Sequence, residues 1–149
     1  MTQDLAAAEA QLLAERSAAA LYDGDRASQS LGIDVTGIRP GFAQVTMRVR
    51  ADMVNGHGLC HGGLLFTLAD SAFAFACNSY NESTVAAAAS IDFLAGAREG
   101  DVLTAEAREL WRTRRNGLYE TTIFNQRGER LALFRGRSYR IDGALVAAE

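Results

Sequence analysis

Hydrophobic and polar residues alternate with different periods along the chain, and its first part predicts one helix followed by a hairpin. From Asp4 to Tyr22 the chain is rich in Ala, Leu and Glu, which favour a helix, and the following DGD predicts the end of that helix. Apolar and polar residues alternate in SLGIDVTGI and FAQVTMRVR, which flank a turn at Arg39–Gly41. This alternation predicts two antiparallel strands.

The most apolar part of the chain comes next. After a polar, glycine-rich segment over residues 51–61, which predicts a loop, a second helix is predicted over roughly residues 62–79. Within residues 64–77 of this helix the only polar side chains are those of Thr67, Asp70 and Ser71. A helix that is apolar nearly all round belongs in a core, so we expect it at the centre of the fold.

Four strands follow this helix, with turn signals between them and no further helix. They are STVAAAASIDFLA, GDVLTAEARELW, GLYETTIFNQ and ERLALFRGRSYRI. In the second of them Leu103, Ala105 and Ala107 share one face, and polar side chains share the other. This pattern is typical of an antiparallel sheet with one solvated face. We therefore expect an α+β fold, in which a long antiparallel sheet wraps around one helix.

Length and composition predict a single domain over residues 1–149, with an N-terminal helical extension over about residues 1–27. A chain of 149 residues can bury a core without help from disulfides or metals. A net charge of −3 disfavours partners such as nucleic acid or an anionic membrane surface. All 15 basic residues are arginine, which excludes Schiff-base chemistry through a lysine.

The sequence also bears on location. The N-terminus lacks a basic region followed by an apolar one, and the longest apolar run is shorter than the ~18 residues that a membrane span requires. We therefore expect neither a secretory signal nor a membrane helix. Cys60 and Cys77 do not form a CxxC pair, which favours reduced thiols in a cytoplasmic protein.

Asp70 is the first candidate for chemistry. A charged carboxylate in a buried helix costs several kcal/mol unless it is paired, so one interpretation is that Asp70 forms an ion pair with an arginine or caps a neighbouring strand. The other interpretation is a reactive carboxylate, acting as nucleophile or general base, whose pKa is perturbed by an apolar cleft.

The sequence His61-Gly62-Gly63 at the start of the same helix is the second candidate. Glycines allow a ligand to approach the backbone, and the N–H groups of the first helical turn have no acceptor within the helix. Such a helix start can bind an oxyanion or a phosphate, although a tight turn would use the same residues.

The spacing of these two candidates predicts a dimer. Gly62 and Asp70 are eight residues apart, which corresponds to ~12 Å along a helix axis. One reacting carbon cannot lie within ~3 Å of both groups when they belong to the same helix. Two antiparallel copies related by a two-fold axis would place Gly62 of one chain opposite Asp70 of the other.

Other residues give weaker signals. His57, Cys60 and His61 are residue types that bind zinc, but a fourth ligand is not evident, so we predict no metal site. Neither a G-x-S-x-G elbow nor a Cys/His pair with an orienting partner is present. Asn55 lies in the loop before the helix, where it could orient a water or a carbonyl group, or simply stabilise the loop.

Two groups of arginines precede or lie on the last strands. They are Arg112, Arg114 and Arg115 before a turn, and Arg135, Arg137 and Arg140 on the final strand. We interpret them first as solvated strand faces, and second as a clamp for phosphates at the rim of a cleft.

The stretch NGHGLCHGGLLFTLADSAFAFACNS closely resembles the helix region of hotdog-fold acyl-CoA thioesterases, specifically the phenylacetate-degradation (PaaI-type) subfamily. LGIDV before the first hairpin, SIDFL after the helix and LFRGRSYRI near the end extend this resemblance from about Leu31 to Ile141. The family's usual FL-x-P is FLAGA here, with Gly96 in place of the proline, which leaves the path of that turn open.

The resemblance implies a hotdog fold, in which a curved antiparallel sheet wraps a long helix, and dimers that usually pair into tetramers. It implies hydrolysis of an aryl-acyl-CoA, of the phenylacetyl or ring-hydroxylated phenylacetyl type, without a cofactor besides the substrate's coenzyme A. Asp70 would be the nucleophile or general base, the Gly62 N–H would polarise the thioester carbonyl, and Asn55 and His61 would lie beside it. The residues predicted to contact the acyl group or coenzyme A are Gly63, Phe66, Ser90, Arg114 and Arg115.

Two other functions stay open at this point. A hotdog hydratase or dehydratase would share proton transfers between His61 and Asp70, and a non-catalytic acyl-CoA sensor would use the same cleft. The acidic pI of 5.4 weighs against a DNA-linked sensor, and such a sensor would leave Asp70 without a chemical task.

Overall fold

The structure, a computed structural model of the chain, describes residues 1–147. Nine helices and strands make up most of this part of the chain. In chain order they are α1 (Thr2–Gly24), α2 (Arg26–Ser30), β1 (Asp34–Arg39), β2 (Phe42–Arg48), α3 (Gly62–Cys77), β3 (Thr84–Phe93), β4 (Val102–Arg112), β5 (Asn116–Phe124) and β6 (Arg130–Arg140).

The six strands form one antiparallel sheet in the order β1-β2-β4-β5-β6-β3. Helix α3 contacts every one of the six strands, which requires the sheet to curve around it. The predicted α+β architecture, one apolar helix wrapped by a long antiparallel sheet, is therefore confirmed.

The core lies between α3 and the concave face of the sheet. Leu103, Ala105 and Ala107 are fully buried there, as their alternation predicts. On β6, Gly136 leaves room for the ring of Phe73, because a Cβ at this position would lie 2.8 Å from that ring. This missing side chain lets α3 pack closely against β6.

Most predicted boundaries lie within a few residues of the observed ones, and three differences matter. The DGD sequence does end α1, but the chain then forms the unpredicted short helix α2 before the first strand, and β1 begins at Asp34 rather than at Ser30. Residues 26–30 carry no apolar period, and Asp25 caps them as a helix. Helix α3 ends at Cys77, and the loop before it contains a 3-10 turn at Ala51–Met53.

The two edges of the sheet differ. The β1 edge carries α1, which packs against it. Within residues 1–147, strand β3 at the other edge pairs with β6 alone, and residues 85–90 are exposed on both faces of the strand. A ten-residue edge strand with free backbone groups and exposed apolar side chains is a ready surface for pairing with another strand.

No helix within residues 1–147 is both long enough and apolar enough to cross a membrane. The cytoplasmic location remains a prediction.

Candidate active site

Helix α3 is not buried all round, contrary to the expectation from its composition. Most of its apolar side chains are buried, but a narrow stripe is less covered than the rest of the helix. This stripe consists of Gly63, Thr67, Asp70 and Ala74, which recur every three or four residues and therefore lie on one face. Asp70 is thus placed at an opening beside the core rather than inside it.

The Asp70 carboxylate has neither a hydrogen-bond partner nor an ion pair within residues 1–147. No arginine neutralises it and it caps no strand, so the structural interpretation of this residue is wrong for the chain described here. Burial raises the pKa of Asp70, and the negative charge of Asp25 raises it further. An unpaired, partly buried carboxylate of raised pKa is suited to act as a base or nucleophile.

The backbone N–H of Gly62, the first residue of α3, has no acceptor within residues 1–147. The N–H groups of Leu64 and Leu65 both bind the carbonyl oxygen of His61, and the Gly63 N–H binds the His61 ring. The first turn of α3 therefore leaves one unused backbone donor, at Gly62, and the positive end of the helix dipole lies at the same point.

His61 caps the helix with its side chain. Its Nδ1 accepts the N–H of Gly63 at 3.0 Å, so in the neutral ring the proton resides on Nε2. The exposed His61 ring can thus donate a hydrogen bond from Nε2 while it holds the helix start in place. Gly63 serves this cap, because a Cβ there would lie 3.1 Å from Nδ1.

Asn55 stabilises the loop that leads into α3. Its Oδ1 accepts the N–H groups of His57 at 2.9 Å and of Leu59 at 3.2 Å. Two backbone donors can face only the oxygen of the amide, so the Nδ2 group points away from them, and it has no partner within the described chain. The loop-stabilising role of Asn55 is therefore confirmed, and its role toward a water or carbonyl group stays a prediction.

The turn at Gly96 packs against the loop before α3. A Cβ at this position would lie 2.9 Å from both Cδ atoms of Leu59, so the Leu59 side chain occupies the space that a larger residue would need. Next to this contact the Cys60 N–H donates to the Ala97 carbonyl oxygen at 2.8 Å. The loop before α3 and the turn after β3 are therefore held together.

The aromatic residues near the helix start have different environments. Phe66 packs edge to face on the buried Phe134, with ring centres 5.2 Å apart, which makes much of its surface part of the core. Phe93 at the end of β3 is 55% exposed, and its ring lies 3.0 Å from the position that a Cβ of Gly62 would take. Phe93 therefore borders the free N–H of Gly62.

Three of the predicted contact residues lie away from this region within one chain. Ser90 is on the convex face of the sheet opposite Arg135, because its neighbour Ile91 faces the core. Arg114 and Arg115 are exposed in the turn between β4 and β5, in a shallow pocket that also includes Cys77, the last residue of α3. A helix of 16 residues is ~24 Å long, so this pocket lies far from Gly62.

Much of the arginine charge near that turn is already paired. Arg112 stacks on Tyr80 and forms ion pairs with Glu82 and Glu109, and Arg140 also pairs with Glu82. A phosphate at this place would therefore compete with Glu82 for both guanidinium groups.

Sequence reasoning missed two residues at the site. Phe93 lies within SIDFL on a predicted strand, and Asp25 lies in the DGD sequence that predicts the end of the first helix; neither pattern by itself indicates a site residue. The sequence does contain an indication that Asp25 caps a helix. It lies three residues before Ser28, which is the spacing between an N-cap side chain and the backbone N–H that it binds. Residues 1–147 contain no group of three or more His, Cys, Asp or Glu side chains placed to bind one metal ion.

One helix wrapped by a six-stranded antiparallel sheet is the hotdog arrangement, and within residues 1–147 the helix has a free N–H at its Gly-Gly start and an unpaired aspartate two turns later. The thioesterase superfamily matches residues 57–132, and the chain belongs to this family. The predictions of a hotdog fold and of a thioester hydrolase are thereby confirmed.

Individual relatives narrow the class to the PaaI type. The chain is 48% identical to the acyl-coenzyme A thioesterase PaaI of Escherichia coli over 131 residues, which cover 88% of this chain and 94% of that protein. It is also 33% identical to a putative esterase of Archaeoglobus fulgidus over 130 residues, which cover 87% of this chain and 84% of the relative.

Solved structures agree with this assignment. The structure of the Escherichia coli PaaI protein, from the phenylacetic acid degradation operon, matches with a TM-score of 0.89 and covers 90% of this chain and 97% of that one. A Streptococcus mutans protein bound to acetyl CoA, at 25% identity, matches with a TM-score of 0.73 and covers 75% of this chain and 90% of that one.

Proposed function

We propose that the protein is an acyl-CoA thioesterase that hydrolyses aryl-acyl-CoA, of the phenylacetyl or ring-hydroxylated phenylacetyl type, to the free acid and coenzyme A. One observation carries the proposal: the Gly62 N–H and the Asp70 carboxylate, both without a partner within residues 1–147, lie on one helix. The similarity to PaaI of Escherichia coli and the acetyl CoA bound to the Streptococcus mutans relative support the substrate class.

The two groups have complementary tasks in thioester hydrolysis. The thioester oxygen gains negative charge as the carbonyl carbon is attacked, and the Gly62 N–H, at the positive end of the α3 dipole, stabilises that charge. The Nε2–H of His61, the N-cap residue of α3, and the amide of Asn55, in the loop before it, are further donors proposed to assist. These donors are held in place by the hydrogen bonds of His61 and Asn55 to backbone N–H groups.

Asp70 supplies the attacking group. It either attacks the carbonyl carbon directly, which forms an anhydride that water then hydrolyses, or removes a proton from a water that attacks instead. In both routes the C–S bond breaks and coenzyme A leaves as a thiolate or thiol. Burial and the charge of Asp25 raise the pKa of Asp70, and a raised pKa makes the deprotonated carboxylate a stronger base.

We propose that each site is shared by two chains. Gly62 and Asp70 are separated by two turns of continuous α3 helix, ~12 Å, so a single chain cannot place both at one carbonyl group. Antiparallel pairing of the exposed β3 edges across a two-fold axis would continue the sheet and bring the two α3 helices side by side. The small residues of the α3 stripe would then permit a close approach, and a tetramer of two such dimers remains a prediction.

A panel of thioesters tests the activity and the acyl preference. Free thiol release should be measured with phenylacetyl-CoA, ring-hydroxylated phenylacetyl-CoA, and straight-chain acyl-CoAs of matched size. We expect the aryl substrates to show the highest kcat/KM. Formation of an enoyl thioester without thiol release would instead identify a hydratase or dehydratase, and binding without turnover would identify a sensor.

Replacement of Gly62 by proline should remove the proposed oxyanion donor while the helix remains. Proline is favoured at the first position of a helix, and His61 has φ −58° and ψ 132°, the conformation that a residue before proline prefers. We expect kcat to fall by about 10²- to 10³-fold, the usual effect of losing one oxyanion donor. Steady-state kinetics with circular dichroism as a folding check provides the measurement.

Gly62→Ala is the matched control for this variant. It retains the N–H but introduces a Cβ 3.0 Å from the Phe93 ring, and that exposed ring can move. The alanine variant should therefore lose much less activity than the proline variant. Equal losses in the two variants would assign the effect to the Phe93 contact and contradict the role of the N–H.

A further inference from the structure

We infer that Asp25, outside the motif that defines the family, is a positioning residue for Asp70. Its carboxylate reaches the catalytic helix through two buried hydroxyl groups, those of Ser28 and Ser71. The inference rests on the proposed function, because it assigns Asp25 a task in the chemistry of Asp70.

Hydrogen bonds connect Ser71, Ser28 and Asp25, and each hydroxyl group donates toward Asp25. Asp25 accepts the Ser28 N–H at 2.9 Å and the Ser28 hydroxyl at 2.6 Å. A carboxylate only accepts, so the Ser28 hydroxyl proton points to Asp25 and its oxygen is left to accept. The Ser71 hydroxyl, 2.8 Å away, must therefore donate to Ser28.

The chain of hydroxyl groups is buried and therefore rigid. Ser28 is 1% exposed and Ser71 is 7% exposed, and a hydrogen bond that is shielded from water competes with little else. A carboxylate acceptor also makes the first bond shorter and stronger than a bond between neutral groups. The hydrogen bonds from Asp25 through Ser28 to Ser71 thus form a tie between helix α2 and helix α3. The tie reaches α3 at the residue that directly follows Asp70.

This tie has a mechanical consequence for the site. Asp70 has no hydrogen bond of its own within residues 1–147, so its position depends on the backbone of α3. The hydrogen bond of the Ser71 side chain fixes the helical turn that contains Asp70. It limits the rotation of this turn about the α3 axis and its shift along that axis relative to α2. A change at Ser71 should therefore move the carboxylate without removing any group that contacts substrate.

The tie also has an electrostatic consequence. Within the described chain, the Asp25 carboxylate on the α2 side and the Cys77 thiol on α3 are titratable groups that interact electrostatically with Asp70. Like charge disfavours a second carboxylate, so Asp25 raises the pKa of Asp70 beyond the effect of burial. The thiol of Cys77 is neutral because burial, and then Asp70, raise its pKa. Asp25 is therefore the nearby charge that acts on Asp70.

Asp25→Asn tests the electrostatic part. Asparagine is an equally good N-cap, so α2 should form, but the charge is gone. Removing the negative charge lowers the pKa of Asp70, and the acidic limb of kcat/KM against pH should shift to lower pH. The titration of the Asp70 carboxyl carbon by NMR should show the same shift. If neither quantity moves, the inference is wrong.

Asp23→Asn is the matched control, because Asp23 is exposed and carries the same charge two residues earlier. It should leave both the pH profile and the NMR titration unchanged. Asp25→Ser, which retains a capping oxygen, provides a second neutral variant if the asparagine variant does not fold.

The NMR titration separates failure of this inference from failure of the proposed function. It reports the pKa of Asp70 whether or not Asp70 is catalytic. If Asp70→Asn retains thioesterase activity, the proposed function and with it the catalytic task of Asp25 are wrong, even where the pKa of Asp70 shifts.

Ser71→Ala tests the mechanical part, since it breaks the tie and leaves the charge of Asp25 in place. We expect kcat to fall by roughly 3- to 10-fold, with KM and the acidic limb unchanged. Ser71→Thr, which retains the hydroxyl group, should restore kcat. An unchanged kcat in the alanine variant would show that the tie does not position Asp70.

Discussion

Asp70→Asn should reduce kcat on the order of 10³-fold or more while the fold and the oligomer remain. The amide has the shape of the carboxylate, but it neither attacks a thioester nor removes a proton from water. Thiol release measured on the purified variant gives the rate. Asp4→Asn, the same change in the exposed first turn of α1, should leave the rate at the wild-type value.

The same variant should be at least as stable as the wild type at neutral pH. Burial, followed by the charge of Asp25, raises the pKa of Asp70, so the folded state binds more protons than the unfolded state as the pH passes through that range. Wild-type stability therefore falls as the pH rises through the raised pKa, and the neutral asparagine avoids this loss. The Tm difference between variant and wild type should vanish in acid.

Loss of both activity and stability would indicate that Asp70 is a structural residue, and would contradict its catalytic assignment. Thermal unfolding at several pH values, together with gel filtration, distinguishes this outcome from the expected one. A rate near that of the wild type would remove Asp70 from the mechanism altogether.

Mixing two inactive variants should restore activity. In an equimolar, refolded mixture of Gly62→Pro and Asp70→Asn chains, a shared site takes its N–H from one chain and its carboxylate from the other. Random assortment gives both intact groups at about one site in four, whether the dimers pair further or not. We therefore expect about a quarter of the wild-type specific activity.

Each variant refolded alone serves as the control, and both should stay inactive. If the mixture shows no more activity than the two controls, the site lies within one chain and the dimer proposal is wrong. Wild type refolded in the same way defines full recovery.

The main elements of the fold could be predicted because their apolar patterns are strong. The alternation of Leu103, Ala105 and Ala107 identifies the buried face of β4, and the apolar run of α3 identifies the central helix. Helix α2 could not be predicted in this way, since its five residues carry no period and its existence depends on the cap at Asp25. Short helices owe their stability to caps and tertiary contacts rather than to propensity.

The parts of the candidate site that lie close together in sequence could be predicted. The Gly-Gly start of α3 and Asp70 lie on one helix, so the rise per residue fixes their separation, and this separation is the basis for predicting a site shared by two chains. The partners of Asn55 and His61 are also local, because both side chains bind N–H groups two to four residues ahead.

Contacts between distant segments depend on the tertiary structure alone. Ser28 and Ser71 are 43 residues apart, Gly96 is matched to Leu59 through space, and Phe93 meets Gly62 only because β3 ends beside the start of α3. The alternation of apolar and polar residues along the chain does not predict such pairs, because they form where the curvature of the sheet brings strands and loops to the helix. The sequence by itself placed the Gly-Gly start and Asp70 on one helix and, through their spacing, predicted a site shared by two chains. The packing of the N-terminal segment decided which second charge acts on Asp70.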